Sequence, residues 1–242
     1  MLSRNEVKYI QSLCHKKQRT EDGVFLAEGV KIADEILASD YTIKKIYASE
    51  AWYSQHKAIN VPVQVITEAE LERISQLQTP NEVLLVVEQK PETILSGQIN
   101  DWVLVLDGIQ DPGNLGTIIR IADWFGIQQI VCSNDTVEWY NPKVIQSTMG
   151  SFLRVKHWYT LLPTWLQHVK VPILGAVLNG KPVQQIQKFN NAVLVIGSEG
   201  KGIRPELFPY LTEPVTIVKR GGAESLNAAV ASGILISHLI GI

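Results

Sequence analysis

The chain has 242 residues, 45% hydrophobic and 19% charged, which is enough apolar material for a buried core and too little charge for a disordered chain. Its 17 glycines and 11 prolines exclude collagen-like and linker-dominated sequences, and Cys14 and Cys132 form no Cys-x-x-Cys pair, so a zinc knuckle or disulfide scaffold is excluded and a reducing, cytoplasmic setting fits. The net charge of -2 is unevenly spread: residues 1–20 hold five Lys/Arg against Glu6 alone, while residues 21–100 are acidic and the remainder nearly balanced. A phosphate-facing first helix and an ordinary solvated helix face both fit that pattern.

Arg4, Glu6 and Lys8 precede any apolar run, which argues against a secretory signal. Val7, Ile10 and Leu13 predict a helix over residues 5–17. Phe25 to Gly29 reads as a short strand and turn, and Val30 to Leu37 as a second helix. Strands are expected over Ile43–Ala48 and Val61–Ile66, then a helix over Glu68–Leu77 capped by Thr67. Val83–Glu88 is a fourth strand, of nearly unbroken apolar residues, and Gln89–Asn100, with Pro91 and Gly97, reads as a linker. The pattern then changes to unbroken apolar runs: Trp102–Leu106, Ile127–Cys132, Ile173–Leu178, Ala192–Ile196 and Val215–Val218. Helices are expected between or after them at Leu115–Phe125, Pro142–Met149, Pro163–Val169 and Leu226–Ile240. Continuous apolar strands imply a sheet covered on both faces, the α/β arrangement. The expected organisation is a small α/β domain over 1–92 and a larger one over 101–242. The most apolar stretch, Ala228–Ile242, is too short for a membrane span.

Several motifs fail on a residue that their chemistry requires. Gly175 to Lys181 has P-loop spacing, but Pro182 stands where a magnesium-binding Ser or Thr belongs. Gly200-Lys201-Gly202 opens like a dinucleotide fingerprint, yet Pro205 occupies the third glycine position. The five histidines show no i, i+4 pairing, so no metal is expected. No G-x-S-x-G elbow occurs.

Three clusters remain, each after a predicted strand, where open α/β sheets gather ligands. They are Asp107 to Arg120, with Asn114 and Gly116 inside it; Ile196 to Gly202, with Glu199 between glycines; and Ile217 to Asn227. Singly, each reads as a capped helix or a glycine turn. Together and in this order they resemble the signature motifs of the SpoU (TrmH-type) RNA 2′-O-ribose methyltransferases of the SPOUT superfamily. Asn114, Gly116 and Arg120 match the first motif, Gly197 to Gly200 the second, and Ser225-Leu226-Asn227 the third. One departure is visible: Val218-Lys219 stands where the family usually places Pro-Met. In the front segment Asn5, Lys8, Arg19, Phe25, Leu26, Glu28 and Gly29 resemble the small RNA-binding domain found before many SpoU catalytic domains.

The resemblance implies S-adenosylmethionine as cofactor, held in a C-terminal trefoil knot, a feature rare enough that periodicity alone never suggests it. It implies cofactor contacts at Leu178, Gly197, Gly200, Ile217 and Leu226, and catalytic roles for Asn114, Arg120, Glu199, Ser225 and Asn227. A guanidinium stays protonated in proteins, so orienting the 2′-hydroxyl and stabilising developing negative charge suits Arg120 better than acting as a base. Ribosomal RNA is the expected partner because tRNA-specific relatives usually lack the front domain. A tRNA methyltransferase and a non-catalytic RNA-binding relative stand as alternatives, and the modified nucleotide stays open. A homodimer is expected through Leu235, Ile236, Leu239 and Ile240, and phosphate contacts through Lys16, Lys17 and Arg19.

Overall fold

Ser3 and Glu6 start the first helix, α1 (Arg4–Ser12), through a reciprocal capping box, in a computed structural model that describes residues 1–240. The chain packs as two compact units, Met1–Pro91 with Glu138–Leu153, and Glu92–Val137 with the chain from Arg154 onward. Val7, Ile10 and Leu13 join the apolar core of the first unit. The single helix expected over 5–17 is instead two, because α1 ends at Ser12 and α2 (Lys16–Asp22) begins after an extended His15. The break lets the buried Arg19 donate from Nη1 to the Leu13 carbonyl at 2.7 Å, satisfying an orphan oxygen of the helix end.

The rest of the first unit follows the expected order with one addition. Strands β1 (Val24–Glu28), β2 (Ile43–Ala48), β3 (Val63–Val65) and β4 (Val83–Glu88) alternate with α3 (Val30–Leu37), α4 (Glu50–Gln55) and α5 (Glu68–Ile74). They form a sheet of order β1-β4-β2-β3, antiparallel except between β2 and β3. Helix α4 was not expected; Ser49 caps it and its Trp52 is buried in the core. Thr67 caps α5 with Glu70 in a second capping box.

In the second unit, β5 (Val103–Asp107) leads through Asp111 and Pro112 into α6 (Pro112–Trp124), followed by β6 (Gln129–Ser133). The segment Glu138–Leu153 then packs with the first unit. It carries α7 (Pro142–Thr148) and stacks Tyr140 on Phe25 at 4.7 Å. Its Glu138 receives Arg19: Nε donates to Oε1 at 3.1 Å, and Nη2 bonds Oε2. Arg19 is therefore 1% exposed, which corrects its assignment to a phosphate-binding trio; Lys16 and Lys17 do lie on the surface.

The chain returns as β7 (Lys156–Thr160), α8 (Leu162–Leu166), β8 (Ile173–Pro182), β9 (Val193–Gly197), β10 (Glu213–Thr216) and α9 (Ala228–Ile240). Among the described residues these strands make a parallel sheet of order β10-β8-β9-β5-β6-β7. The central β5 and β6 are buried throughout, as their unbroken apolar runs require. Strand β7 carries no apolar run to mark it in the sequence, because it is an edge strand whose Lys-His-Trp-Tyr-Thr sequence is only partly covered. The P-loop-like stretch at Gly175 is part of β8. Leu235, Ile236 and Leu239 of α9 are all buried against their own unit, which corrects the expected dimer face: these side chains are already used in the monomer. Among the described residues no helix is long and apolar enough to cross a membrane.

Candidate active site

The second unit gathers its polar residues at the carboxyl ends of β5 and β9, whose last residues Asp107 and Gly197 sit side by side in register. After β5, the Asp111 side chain accepts from the Asn114 amide at 2.8 Å and starts α6. This fixes Asn114 in the first turn of a helix whose inner face is Leu115, Ile118 and Ile119. After β9 the chain closes a small loop: Ser198 and Gly202 bridge, with the Gly202 amide donating to the Ser198 carbonyl at 2.8 Å. A Cβ on Gly197 would lie 2.0 Å from the Gly202 carbonyl carbon, so only glycine lets the two stems approach so closely. Glu199 stands on this loop.

Asn227 precedes α9 and caps it, its Oδ1 accepting from the amides of Ala229 at 3.0 Å and Val230 at 3.2 Å. Its Nδ2 donates to Asn114 Oδ1 at 2.8 Å and to Glu199 Oε1 at 3.0 Å, and Asn114 Nδ2 also bonds Glu199 Oε1. Side chains from the first turn of α6, the glycine loop and the residue before α9 thus meet in one hydrogen-bonded junction. Asn227 serves twice, capping α9 and holding the carboxylate, whereas the Asn114 side chain is given wholly to the junction.

A cleft of about 810 Å³ opens beside this junction, within the range of small-molecule sites. Leu178, Gly197, Gly200, Ile217 and Leu226 all line it, as do Glu199 and Ser225. Leu178 reaches it because the β8–β10 pairing jumps from Gly175↔Pro214 to Lys181↔Val215, leaving the intervening β8 residues out of the ladder. The hydroxyl of Thr216 donates to the Leu178 carbonyl at 3.0 Å and ties that bulge to β10. Leu178 is 70% and Leu226 44% exposed, so both leave apolar surface uncovered on the cleft wall. Val218 and Lys219, the two residues that depart from the family pattern, also line it.

Arg120 lies six residues beyond Asn114 on α6, about 9 Å further along the axis. It is exposed, and among the described residues no hydrogen bond or ion pair joins it to the junction. Two residues that the sequence reading did not single out matter as much. Asp107 is buried, and its carboxylate pairs with Arg204, just past the glycine loop, at 2.5 Å. Burial works against the Arg204 charge, but the hydrogen bonds and negative charge of Asp107 more than offset it and raise its pKa. The signal for Asp107 was an acid ending an otherwise apolar strand; Arg204 carried none.

The fold and sequence can be compared with known proteins. The SpoU rRNA Methylase family model matches residues 101–237, and the MRM3-like substrate binding domain model matches residues 4–85. The chain is 32% identical to the 23S rRNA (guanosine(2553)-2'-O)-methyltransferase RlmP of Bacillus subtilis, over 98% of this chain and 96% of that one. It is 30% identical to the 23S rRNA (guanosine-2'-O-)-methyltransferase RlmB of Coxiella burnetii, over 82% of this chain and 88% of the relative. The crystal structure of an AdoMet-bound rRNA methyltransferase from Sinorhizobium meliloti superposes with a TM-score of 0.87 at 29% identity, covering 98% of this chain and 95% of that one. With the family model spanning more than half of its length, the chain belongs to the SpoU rRNA methylase family.

Proposed function

We propose that the protein is an S-adenosylmethionine-dependent 2′-O-ribose methyltransferase of ribosomal RNA. The observation that carries this reading is the junction of Asn114, Glu199 and Asn227 beside a cleft lined by all five residues expected to hold the cofactor. The residues present suit that cofactor. Leu178, Ile217 and Leu226 supply apolar cover for an adenine, and the Gly197–Gly202 loop offers backbone groups close to any ligand. When bound, S-adenosylmethionine supplies an electrophilic methyl group on a sulfonium. The chain's own task is to hold a ribose 2′-hydroxyl in line and to favour loss of its proton. The junction orients the ribose; Arg120, exposed and among the described residues without a competing partner, stabilises negative charge on the hydroxyl oxygen. Ser225 adds a hydroxyl at the cleft wall. The knotted C-terminal segment and a cytoplasmic location belong to the same reading. Lys16, Lys17, Lys219 and Arg220 are the exposed cations suited to RNA phosphates.

The test is methyl transfer from labelled S-adenosylmethionine by the full chain, with deproteinised 23S rRNA and bulk tRNA as parallel substrates. Label is expected in an alkali-resistant 2′-O-methylated dinucleotide from 23S rRNA. Label in tRNA alone moves the substrate class, and cofactor binding without transfer to either RNA favours a non-catalytic relative.

A homodimer is part of the proposal, through a different face from the one the sequence suggested. Trp124 at the end of α6 is 84% exposed and Val230 on α9 is 51% exposed, and α6 packs on α9. These exposed apolar side chains, one on each of two packed helices, suit a second copy. Sedimentation of the full chain at micromolar concentration is expected to give a dimer, and Trp124→Ser to shift it toward the 27.0 kDa monomer. A wild-type monomer defeats the idea.

A further inference from the structure

The loop that carries Glu199 is fastened at both stems by one residue. At its start, Gly197 pairs in register with Asp107 across the β9–β5 ladder. At its end, the Arg204 amide donates to Asp107 Oδ2 at 2.8 Å, while Arg204 Nε and Nη2 reach Oδ1 at 2.6 and 2.5 Å. Between the stems, the Ser198–Gly202 bridge closes the loop, and Gly202 takes a left-handed φ of +66°. Ile203, next to Arg204, is 4% exposed in the apolar core of its unit. The Asp107 carboxylate is buried and fully engaged by this one backbone amide and one guanidinium. A fork of three donors around a buried carboxylate fixes angles as well as distances.

The geometry points to Asp107 and Arg204 as positioning residues for methyl transfer: together they staple both stems of the 198–203 loop and so hold the Glu199 carboxylate where Asn114 and Asn227 meet it. Neither residue touches the junction itself. Their effect runs through the backbone, from the Asp107 carboxylate to the loop stem and on to Glu199. Without the staple the first stem keeps its β9–β5 ladder and the loop keeps its Ser198–Gly202 bridge, but the second stem keeps only the anchor at Ile203, so Glu199 meets Asn114 and Asn227 from a loop loosened at one end. Arg204 Nη2 also lies 3.6 Å from Asp135 Oδ1, and its Nη1 3.9 Å from Glu206 Oε1. Both carboxylates are more exposed, and neither bonds a loop stem, so the staple function belongs to Asp107.

The inference rests on the methyl-transfer reading, and its test separates the two. Arg204→Gln is compared with wild type in the full chain by single-turnover transfer at saturating RNA and S-adenosylmethionine, and by amide hydrogen exchange. A small displacement of a reacting constellation is worth about 100-fold in rate, so a loss of that order is expected, with RNA affinity unchanged. Exchange is expected to quicken at Gly202 and Arg204 while β5 stays protected. Combining Arg204→Gln with Glu199→Gln is expected to be no slower than the slower single variant, within about threefold, because residues acting as one unit are non-additive. Arg204→Lys keeps the charge but loses the fork; it gives an intermediate rate, and it carries the test if Arg204→Gln does not fold. Multiplying effects in the double variant, or unaltered exchange at 198–204 in Arg204→Lys and Arg204→Gln alike, overturn the staple. A wild-type chain that protects the loop yet transfers no methyl group sinks the methyl-transfer reading and leaves the staple standing.

Discussion

Arg120→Ala is expected to slow single-turnover methyl transfer by about 10²–10³-fold, the cost of removing one donor aimed at a developing oxyanion, and to leave S-adenosylmethionine affinity within about twofold. The split follows from where Arg120 stands. It does not line the cleft, so cofactor contacts survive its loss. It is exposed, and among the described residues it has no ion-pair partner, so the fold loses little; surface substitutions of this kind cost within about 0.5 kcal/mol. Isothermal titration with the cofactor, thermal melting and a single-turnover rate at saturating RNA measure the three quantities separately. A wild-type rate in Arg120→Ala removes Arg120 from the chemistry. A matching loss of cofactor affinity moves it to the binding site. Lys16→Ala with Lys17→Ala should fail differently, weakening RNA binding and flattening its salt dependence while the saturated rate holds.

The second large effect lies far from the chemistry in sequence. Glu138→Ala is expected to destabilise the first unit by about 3 kcal/mol, because it strands the Arg19 guanidinium in the interior. Arg19 is 1% exposed as a side chain and Glu138 15%, so water cannot replace the lost carboxylate. The remaining bond to the Leu13 carbonyl at 2.7 Å satisfies one donor of several. For a unit of this size the loss corresponds to a fall in Tm of about 10–20 °C. Replacing both partners together, as Arg19→Met with Glu138→Leu, should recover most of the stability, since well-packed apolar side chains often substitute for a buried pair. Calorimetric melts of the two variants decide it. A Glu138→Ala melt within about 2 °C of wild type shows that the pair contributes no more than a surface ion pair.

Much of the architecture was written in local pattern. The aliphatic runs at Trp102–Leu106 and Ile127–Cys132 imply strands buried on both faces, and β5 and β6, displaced by one or two residues, sit that way. Thr67 marks a helix start as an N-cap, a signal that needs only local chain, and the structure adds Glu70 as its capping-box partner. Asn114, Glu199 and Asn227 stand apart as three motifs after three strands only through the resemblance to the SpoU signature motifs, since singly each cluster reads as a capped helix or a glycine turn. Whatever depended on contacts distant in sequence was beyond such reading. Arg19 looked like one more cation in a basic helix, and only its pairing with a residue 119 positions later makes it interior. The apolar stripe of α9 looked like a dimer face, yet Leu235, Ile236 and Leu239 are spent on the protein's own core, and the large apolar side chains that α6 and α9 leave exposed among the described residues are Trp124 and Val230. Arg204 gave no signal at all. Periodicity reports which face of an element is apolar, but it cannot name the partner that covers that face. Residue type reports which groups can carry charge, but only the fold sets a guanidinium against the one buried carboxylate that gives it a task.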